Sequence, residues 1–467
     1  MAQRAEDRAG SQAGRVVLAL ACAAQFMVVL DISVVNVALP SVQRALGFAD
    51  GSQQWVVNAY ALAFAGFLLL GGRLADLVGR RRALVLGLLL FSGASLAGGL
   101  ANSAELLVTA RAAQGLGAAV LAPATLTVLT TTFPEGPRRT RALATWTAVG
   151  MAGGTAGNLL GGVLTEYLSW RSILLINVPV GVVAVLLAKR YLPGAPEKGR
   201  GRPLDVAGAV LSTGGLAALT FGIDQARTHS WATASTALLG GFAALAAFLV
   251  VEARFAQEPL IPLRLFRLRA VSVGNVAMLL AGAGLNPMWY FLTLYMQQSL
   301  HYSPLETGLG FLPHTVLTIV VTARLAPWLV DRVGSRALIV TGALIAAAGF
   351  WWQGQITADS GYLPGILGPA IVFSLGSGLL NTPLTATVTA GISAADAGAA
   401  SGLMNTTKQF GGALGLAVLV SLTASDLTTP QALAAQYGSA FRTIAAVLVV
   451  VAAAALALPA PRDRRAP

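Results

Sequence analysis

Of the nineteen acidic residues in this 467-residue chain, Asp31 alone lies well inside a long apolar run. A carboxylate at such depth in a bilayer costs at least about 2.5–3.5 kcal/mol, so it is kept for function or for pairing. Burial disfavours the charged form and a nearby cation favours it. A group pulled both ways can bind and release a proton as its surroundings change. The plainer reading is a permanent salt bridge that only fixes its helix. Arg111 is the natural partner. Asp31 precedes Pro40 by nine residues, and at about 1.5 Å per residue that is about 13 Å, while Arg111 lies about 9 Å beyond Glu105. The two depths match if the helices run in opposite directions. The alternative is that Arg111 snorkels to the interface. Gln114, one turn on, is a neutral hydrogen-bonding neighbour.

Other candidates are arranged in sets. Gly72, Asp76, Gly79 and Arg80 form a short basic loop between two apolar runs, and Asp331 and Arg336 stand in a second copy of it. A glycine there allows a tight turn, and a carboxylate there can pair with arginine or cap a neighbouring helix, which suits a gate. The plainer reading is a charged cytoplasmic loop. Gly153, Gly154, Gly157, Gly161 and Gly162, with Asn158 among them, leave one helix with almost no side chain on much of its surface. Small residues let helices approach closely, for packing or for rocking. Lys408 is a second deep cation. Asn36, Trp55, Asn58, Tyr60, Gln114, Tyr290, Tyr295, Gln298, Asn381 and Asn405 are candidates for a mixed apolar and polar cavity. Trp and Tyr also mark membrane interfaces.

These residues need long apolar elements to hold them, and the composition supplies them. Hydrophobic residues make up 55% of the chain and charged residues 11%, and the mean hydropathy is +0.71. Soluble proteins carry about 25% charged residues, so this is an all-α polytopic membrane protein. Disorder and a disulfide scaffold are excluded, the latter because Cys22 is the single cysteine. Fourteen candidate helices lie near residues 16–40, 53–74, 83–103, 106–132, 142–165, 172–188, 206–223, 232–251, 270–297, 307–330, 337–355, 363–388, 399–424 and 440–460. The first is too long for a signal-peptide core and is read as a retained span.

The net charge of +12 is unevenly placed. Arg44, Arg171, Arg227 and Arg442 fall on one side and Arg111, Arg324 and Lys408 within spans, and the other Lys and Arg residues fall on the opposite side with both termini. The positive-inside rule puts that side in the cytoplasm. The basic excess then faces anionic lipid headgroups, and nucleic acid is not an expected partner.

The chain also repeats itself. "GRLADLVGRR" at 72–81 is echoed by "PWLVDRVGSR" at 327–336, and Gly153, Gly154 and Gly157 are echoed by Gly411, Gly412 and Gly415. The first six spans map onto the last six. This gives a half at 1–192, a linker with an inserted helix pair at 193–269, and a second half at 270–467. Two six-helix halves with a cleft at their interface is a transporter layout.

Six motifs carry a family resemblance: "LDISVVNVALP" (30–40), "GRLADLVGRRR" (72–82), "RAAQGLGAA" (111–119), "WRSILLINVPVG" (170–181), "PLIPLRLF" (259–266) and "ASGLMNTTKQFGGALG" (400–415). Together they resemble the 14-helix drug:proton antiporter branch of the major facilitator superfamily along nearly the whole chain. One position departs from it: "GNLLGG" (157–162) has Asn158 where that branch has proline in its antiporter motif. The resemblance implies proton coupling at Asp31 and Arg111, and a hinge or seal in the glycine-rich fifth helix.

The expected protein is a monomeric, proton-coupled exporter of amphipathic antibiotics or dyes in the cytoplasmic membrane, working by alternating access. Its substrates are expected to be neutral or singly charged rather than dicationic. One exported metabolite, or a sensor that binds without transporting, are the alternatives. No phosphate-binding loop, hydrolase or dinucleotide motif occurs, and His229, His301 and His314 lack metal-ligand spacing, so no enzyme activity, cofactor or metal is expected.

Overall fold

The computed structural model describes residues 2–49, 51–134, 136–192, 204–227, 231–256, 259–393, 396–423 and 429–459, and the side chains of these residues except those of 2–13, Asp76 and Arg227. The linker at 193–203 and the Asp76 side chain, both singled out in the sequence, lie outside the described residues. Eighteen α-helices follow one another, and no strand occurs among the described residues. They are α1 (Ala2–Leu46), α2 (Gln54–Val78), α3 (Arg80–Gly99), α4 (Ala104–Thr132), α5 (Pro137–Tyr167), α6 (Ser172–Leu175), α7 (Asn177–Tyr191), α8 (Val206–Arg227) and α9 (Trp231–Val250). Then come α10 (Arg269–Leu285), α11 (Pro287–Leu294), α12 (Pro304–Gly310), α13 (Leu312–Val320), α14 (Ala326–Val333), α15 (Ser335–Gln353), α16 (Gly368–Val388), α17 (Ala397–Thr423) and α18 (Pro430–Leu456).

Among the described residues, twelve stretches are long and apolar enough to cross a bilayer, which makes this a multi-pass membrane protein. They differ from the fourteen expected by α5 and α17. Both are long helices, but Asn158 in α5 and Lys408 and Gln409 in α17, together with many glycines and threonines, hold their hydropathy down. Some bounds differ as well. The last span starts at Pro430 rather than near 440, so Arg442 sits inside α18 rather than in a loop. The 172–188 run breaks at Ile176, because Pro179 has no N–H to give to the Leu175 carbonyl.

The chain forms two compact units, Met1–Thr213 and Gly214–Pro467. The boundary falls inside α8, whereas the sequence repeat places the divisions near 192 and 269. In the first unit α5 runs parallel to α1. A Cβ added at Gly153, Gly157 or Gly161 would lie 3.1, 2.8 and 2.8 Å from the carbonyl oxygens of Phe26, Leu30 and Val34 in turn. In the second unit α17 runs parallel to α10 in the same way: Cβ atoms at Gly411 and Gly415 would lie 2.1 and 2.3 Å from the Leu279 and Ala283 oxygens. The glycine repeat read from the sequence is therefore a repeat of helix packing.

The loop repeat is also one of backbone shape. Gly79 joins α2 to α3 at φ +87°, ψ 145°, and Gly334 joins α14 to α15 at φ +80°, ψ 154°. A side chain is strained there, so glycine is required at both positions.

Candidate proton-coupling site

The site is assembled in the first unit by α1, α2, α3, α4 and α7. Ser103 caps α4 by accepting from the Leu106 N–H at 3.2 Å, which sets where that helix starts and so the depth of Arg111. Arg111 and Asp31 are 2% and 0% exposed and form an ion pair, Nη1 to Oδ2. The same guanidinium donates from Nε to the Val56 carbonyl at 3.0 Å and from Nη1 to Gln114 Oε1 at 2.9 Å. It also lies over the Tyr60 ring, 4.4 Å from the centroid.

The other oxygen of the carboxylate, Oδ1, accepts from Gln114 Nε2 at 3.0 Å and from Asn177 Nδ2 at 2.9 Å. Gln114 Nε2 donates in addition to Ser95 Oγ at 2.6 Å. Asp31 thus meets one obligate donor, Arg111, and two amides: Gln114, whose oxygen is held by Arg111, and Asn177, which can turn and accept instead. A carboxylate finds donors here, and a protonated carboxyl can find an acceptor.

The structure therefore brings together Asp31, Arg111, Gln114 and Tyr60 from the sequence set. It adds Asn177 and Ser95, which sequence reasoning did not single out. Asn177 stands inside the "WRSILLINVPVG" motif, and the break before Pro179 puts it in the first turn of α7. That motif was a signal; for Ser95, a buried serine in α3, there was none.

The remaining candidates divide by unit. In the first, Asn36 donates to the Ile32 carbonyl of its own helix at 3.1 Å, and Trp55 is half-buried. Asn58 and Tyr60 are buried, and neither the Asn58 amide nor the Tyr60 hydroxyl has a hydrogen-bond partner among the described residues. Asn158 is buried on α5 with both amide atoms unpartnered. Gly154 makes only ordinary contacts with α1, Gly162 is buried, and Gly72 lies 3.6 Å from Pro123 measured from an added Cβ. Arg80 is half-buried at the start of α3.

In the second unit, Tyr290 and Tyr295 are packed in the interior instead of lining a surface. The Tyr295 hydroxyl donates to the Thr357 carbonyl at 3.2 Å, and Gln298 Oε1 accepts from the Tyr437 hydroxyl. Asn381 is half-buried and donates to the Ser377 carbonyl at 2.9 Å; Asn405 is exposed and Lys408 half-buried. Asp331 is exposed and Arg336 half-buried.

The pattern of the Major Facilitator Superfamily matches residues 21–416, and the chain belongs to that family. It is 58% identical to the cephamycin export protein CmcT of Amycolatopsis lactamdurans over 95% of this chain and 92% of that one. It is 43% identical to the puromycin resistance protein pur8 of Streptomyces alboniger (86% and 80%). It is 35% identical to the tetracenomycin C resistance and export protein of Streptomyces glaucescens (85% and 74%). Among solved structures it is similar in fold to the human organic anion transporter MFSD10, with a TM-score of 0.63 at 16% identity over 95% of this chain and 99% of that one.

Proposed function

We propose that this protein is a proton-coupled antibiotic exporter of the cytoplasmic membrane. One observation carries the coupling: a buried carboxylate paired with a single arginine and held by two amides, of which Asn177 can reverse. In the outward step Asp31 takes a proton, its hold on Arg111 weakens, and Asn177 turns an oxygen toward the new O–H. In the inward step the proton leaves and the ion pair closes again. Protonation and the two access states thus drive each other, and amphipathic substrate leaves against the entering proton. The relatives whose names record export of, or resistance to, antibiotics support the cargo class. The cephamycin export protein, at 58% identity over nearly full length, favours a narrow version: one antibiotic exported by a cell that makes it.

The test is growth of an efflux-deficient strain across an antibiotic panel that includes cephamycins. Expression is expected to raise resistance to at least one compound, and a protonophore is expected to remove that gain. No protection against any compound sinks the exporter, and protection untouched by the protonophore sinks the coupling.

The chain is read as monomeric, with fourteen spans, both termini cytoplasmic, and 193–269 as linker and inserted pair. Support comes from α5 and α17, which run parallel to the apolar α1 and α10, with close contacts over residues 150–161 and 411–415. A helix packed in parallel with a spanning helix over about eleven residues, or about 16 Å, crosses with it. The peripheral place of the pair agrees with α9, the least buried of the apolar spans. With Cys22 replaced, single cysteines at Gly199 and Ala253 are expected to react only from the cytoplasmic side, and one at Asn102 only from outside. If α5 and α17 did not cross, Gly199→Cys and Ala253→Cys would label from outside.

A further inference from the structure

Lys408 is an unpaired cation half-way along a helix in a membrane protein. No described residue makes an ion pair or hydrogen bond to its ammonium group. It does not stand alone on α17. At about 100° per residue, Gly398, Ser401, Asn405, Lys408, Gln409 and Gly412 fall within an arc of about 100°. Ser401 and Asn405 are exposed on this face, and Lys408 and Gln409 are half-buried. Asn286, between α10 and α11, extends the polar edge by donating to Gln409 Oε1 at 3.4 Å. The opposite face, with Leu403, Phe410, Ala413 and Ala417, is packed into the unit.

Such a face does not suit hydrocarbon, where a lone ammonium and open amides find no partner. It suits water, and a cation facing water inside a span attracts an anion. The first unit has no counterpart. Aligning Gly411 with Gly153 sets Lys408 against Gly150, which packs on Gln25, and Asn405 against Thr147. The cation is a feature of the second copy alone, and the acid with its arginine of the first. In the first unit Arg111 is engaged by Asp31, whereas Lys408 is free to engage a substrate.

We infer that the polar face of α17 lines the aqueous path of the substrate, and that Lys408 binds the carboxylate of a monoanionic, amphipathic organic acid. This deepens the exporter reading and rests on it. Asn405 and Gln409, beside the ammonium, offer neutral hydrogen bonds to the rest of the polar group. The apolar body of such a molecule needs no charge from the protein. Exchange of a monoanion for an entering proton moves charge in the sense that an inside-negative membrane potential favours, so the substrate charge adds to the driving force.

The experiment uses the whole protein in inside-out vesicles with three carboxylates (fusidate, nalidixate and a cephamycin), their neutral methyl esters, and ethidium as a monocation. The wild type is expected to carry at least one carboxylate in preference to its ester. Lys408→Gln is expected to raise the apparent KM for that carboxylate about tenfold or more, the loss of one charge-assisted contact, with ester transport retained. Lys408→Arg should keep carboxylate transport. Three results overturn the inference: a wild type that carries esters or ethidium but no carboxylate, a Lys408→Gln variant as good as wild type on the carboxylate, or one that loses ester and carboxylate alike. Transport of nothing in the set by the wild type overturns the exporter reading itself, and the inference with it.

Discussion

An Asp31→Asn variant should reach the membrane folded, and should lose proton-driven export to the level of vesicles without the protein. The geometry separates the two outcomes. Removing one member of a buried ion pair costs as much as about 3–5 kcal/mol when the other charge is left unsatisfied. Here Arg111 keeps the Val56 carbonyl at 3.0 Å, Gln114 Oε1 at 2.9 Å and the Tyr60 ring, so most of that penalty is avoided. The new amide is close in shape to the carboxylate, and Asn177 can turn to match it while Gln114 stays on Arg111. What it lacks is a titrating proton. Flux driven by an imposed pH gradient should vanish, while exchange of labelled for unlabelled substrate, which needs no net proton movement, should persist. Wild-type gradient-driven flux at equal protein level would remove Asp31 from the coupling step. Loss of both activities together with loss of folded protein would make the pair structural.

The second large effect is expected from neighbouring glycines of one helix. A Cβ at Gly157 would lie 2.7 Å from Ser33 Cβ and 2.8 Å from the Leu30 oxygen, whereas one at Gly154 would meet nothing nearer than 3.8 Å. Overpacking of this kind costs about 1–3 kcal/mol, because backbone on α1 has to move. An alanine in an open helical position instead gains about 0.5–1 kcal/mol from backbone entropy. Gly157→Ala should therefore lower the melting temperature and Gly154→Ala should hold or raise it, although the two positions are less than one turn apart. Gly411→Ala in the second copy, with its Cβ 2.1 Å from the Leu279 oxygen, should behave like Gly157→Ala. Equal melting of Gly157→Ala and Gly154→Ala would mean that close helix contact is not what the glycine face provides.

Several features were legible because they depend on quantities fixed along a single helix. Twelve spans show directly as apolar runs, since hydrocarbon accepts little else. That Asp31 and Arg111 lie at one depth followed from helical rise alone, since depth in a bilayer is set by residue count from the helix end. The two repeats were visible in sequence because a left-handed loop and a close backbone approach each exclude every residue larger than glycine, as Gly79 with Gly334 and Gly157 with Gly415 show.

Only the tertiary structure decided what lies sideways from each helix. Neither Ser95 nor Asn177 has a depth or spacing that marks it as a neighbour of Asp31, because which side chains meet depends on how α3, α4 and α7 are rotated against α1. The same rotation took Tyr290 and Tyr295 into the packed interior and left Asn405 open, although all three are polar or amphipathic residues in long helices. Hydropathy left α5 and α17 below the other spans, since glycine contributes little to it and Asn158, Lys408 and Gln409 lower it; their parallel packing along α1 and α10 is what sets them beside membrane-crossing helices. Sequence alone determined which segments are long and apolar and how deep each charge sits. Rotation and contact between helices, set by side-chain packing over long sequence separations, determined which of those charges are satisfied and which remain open.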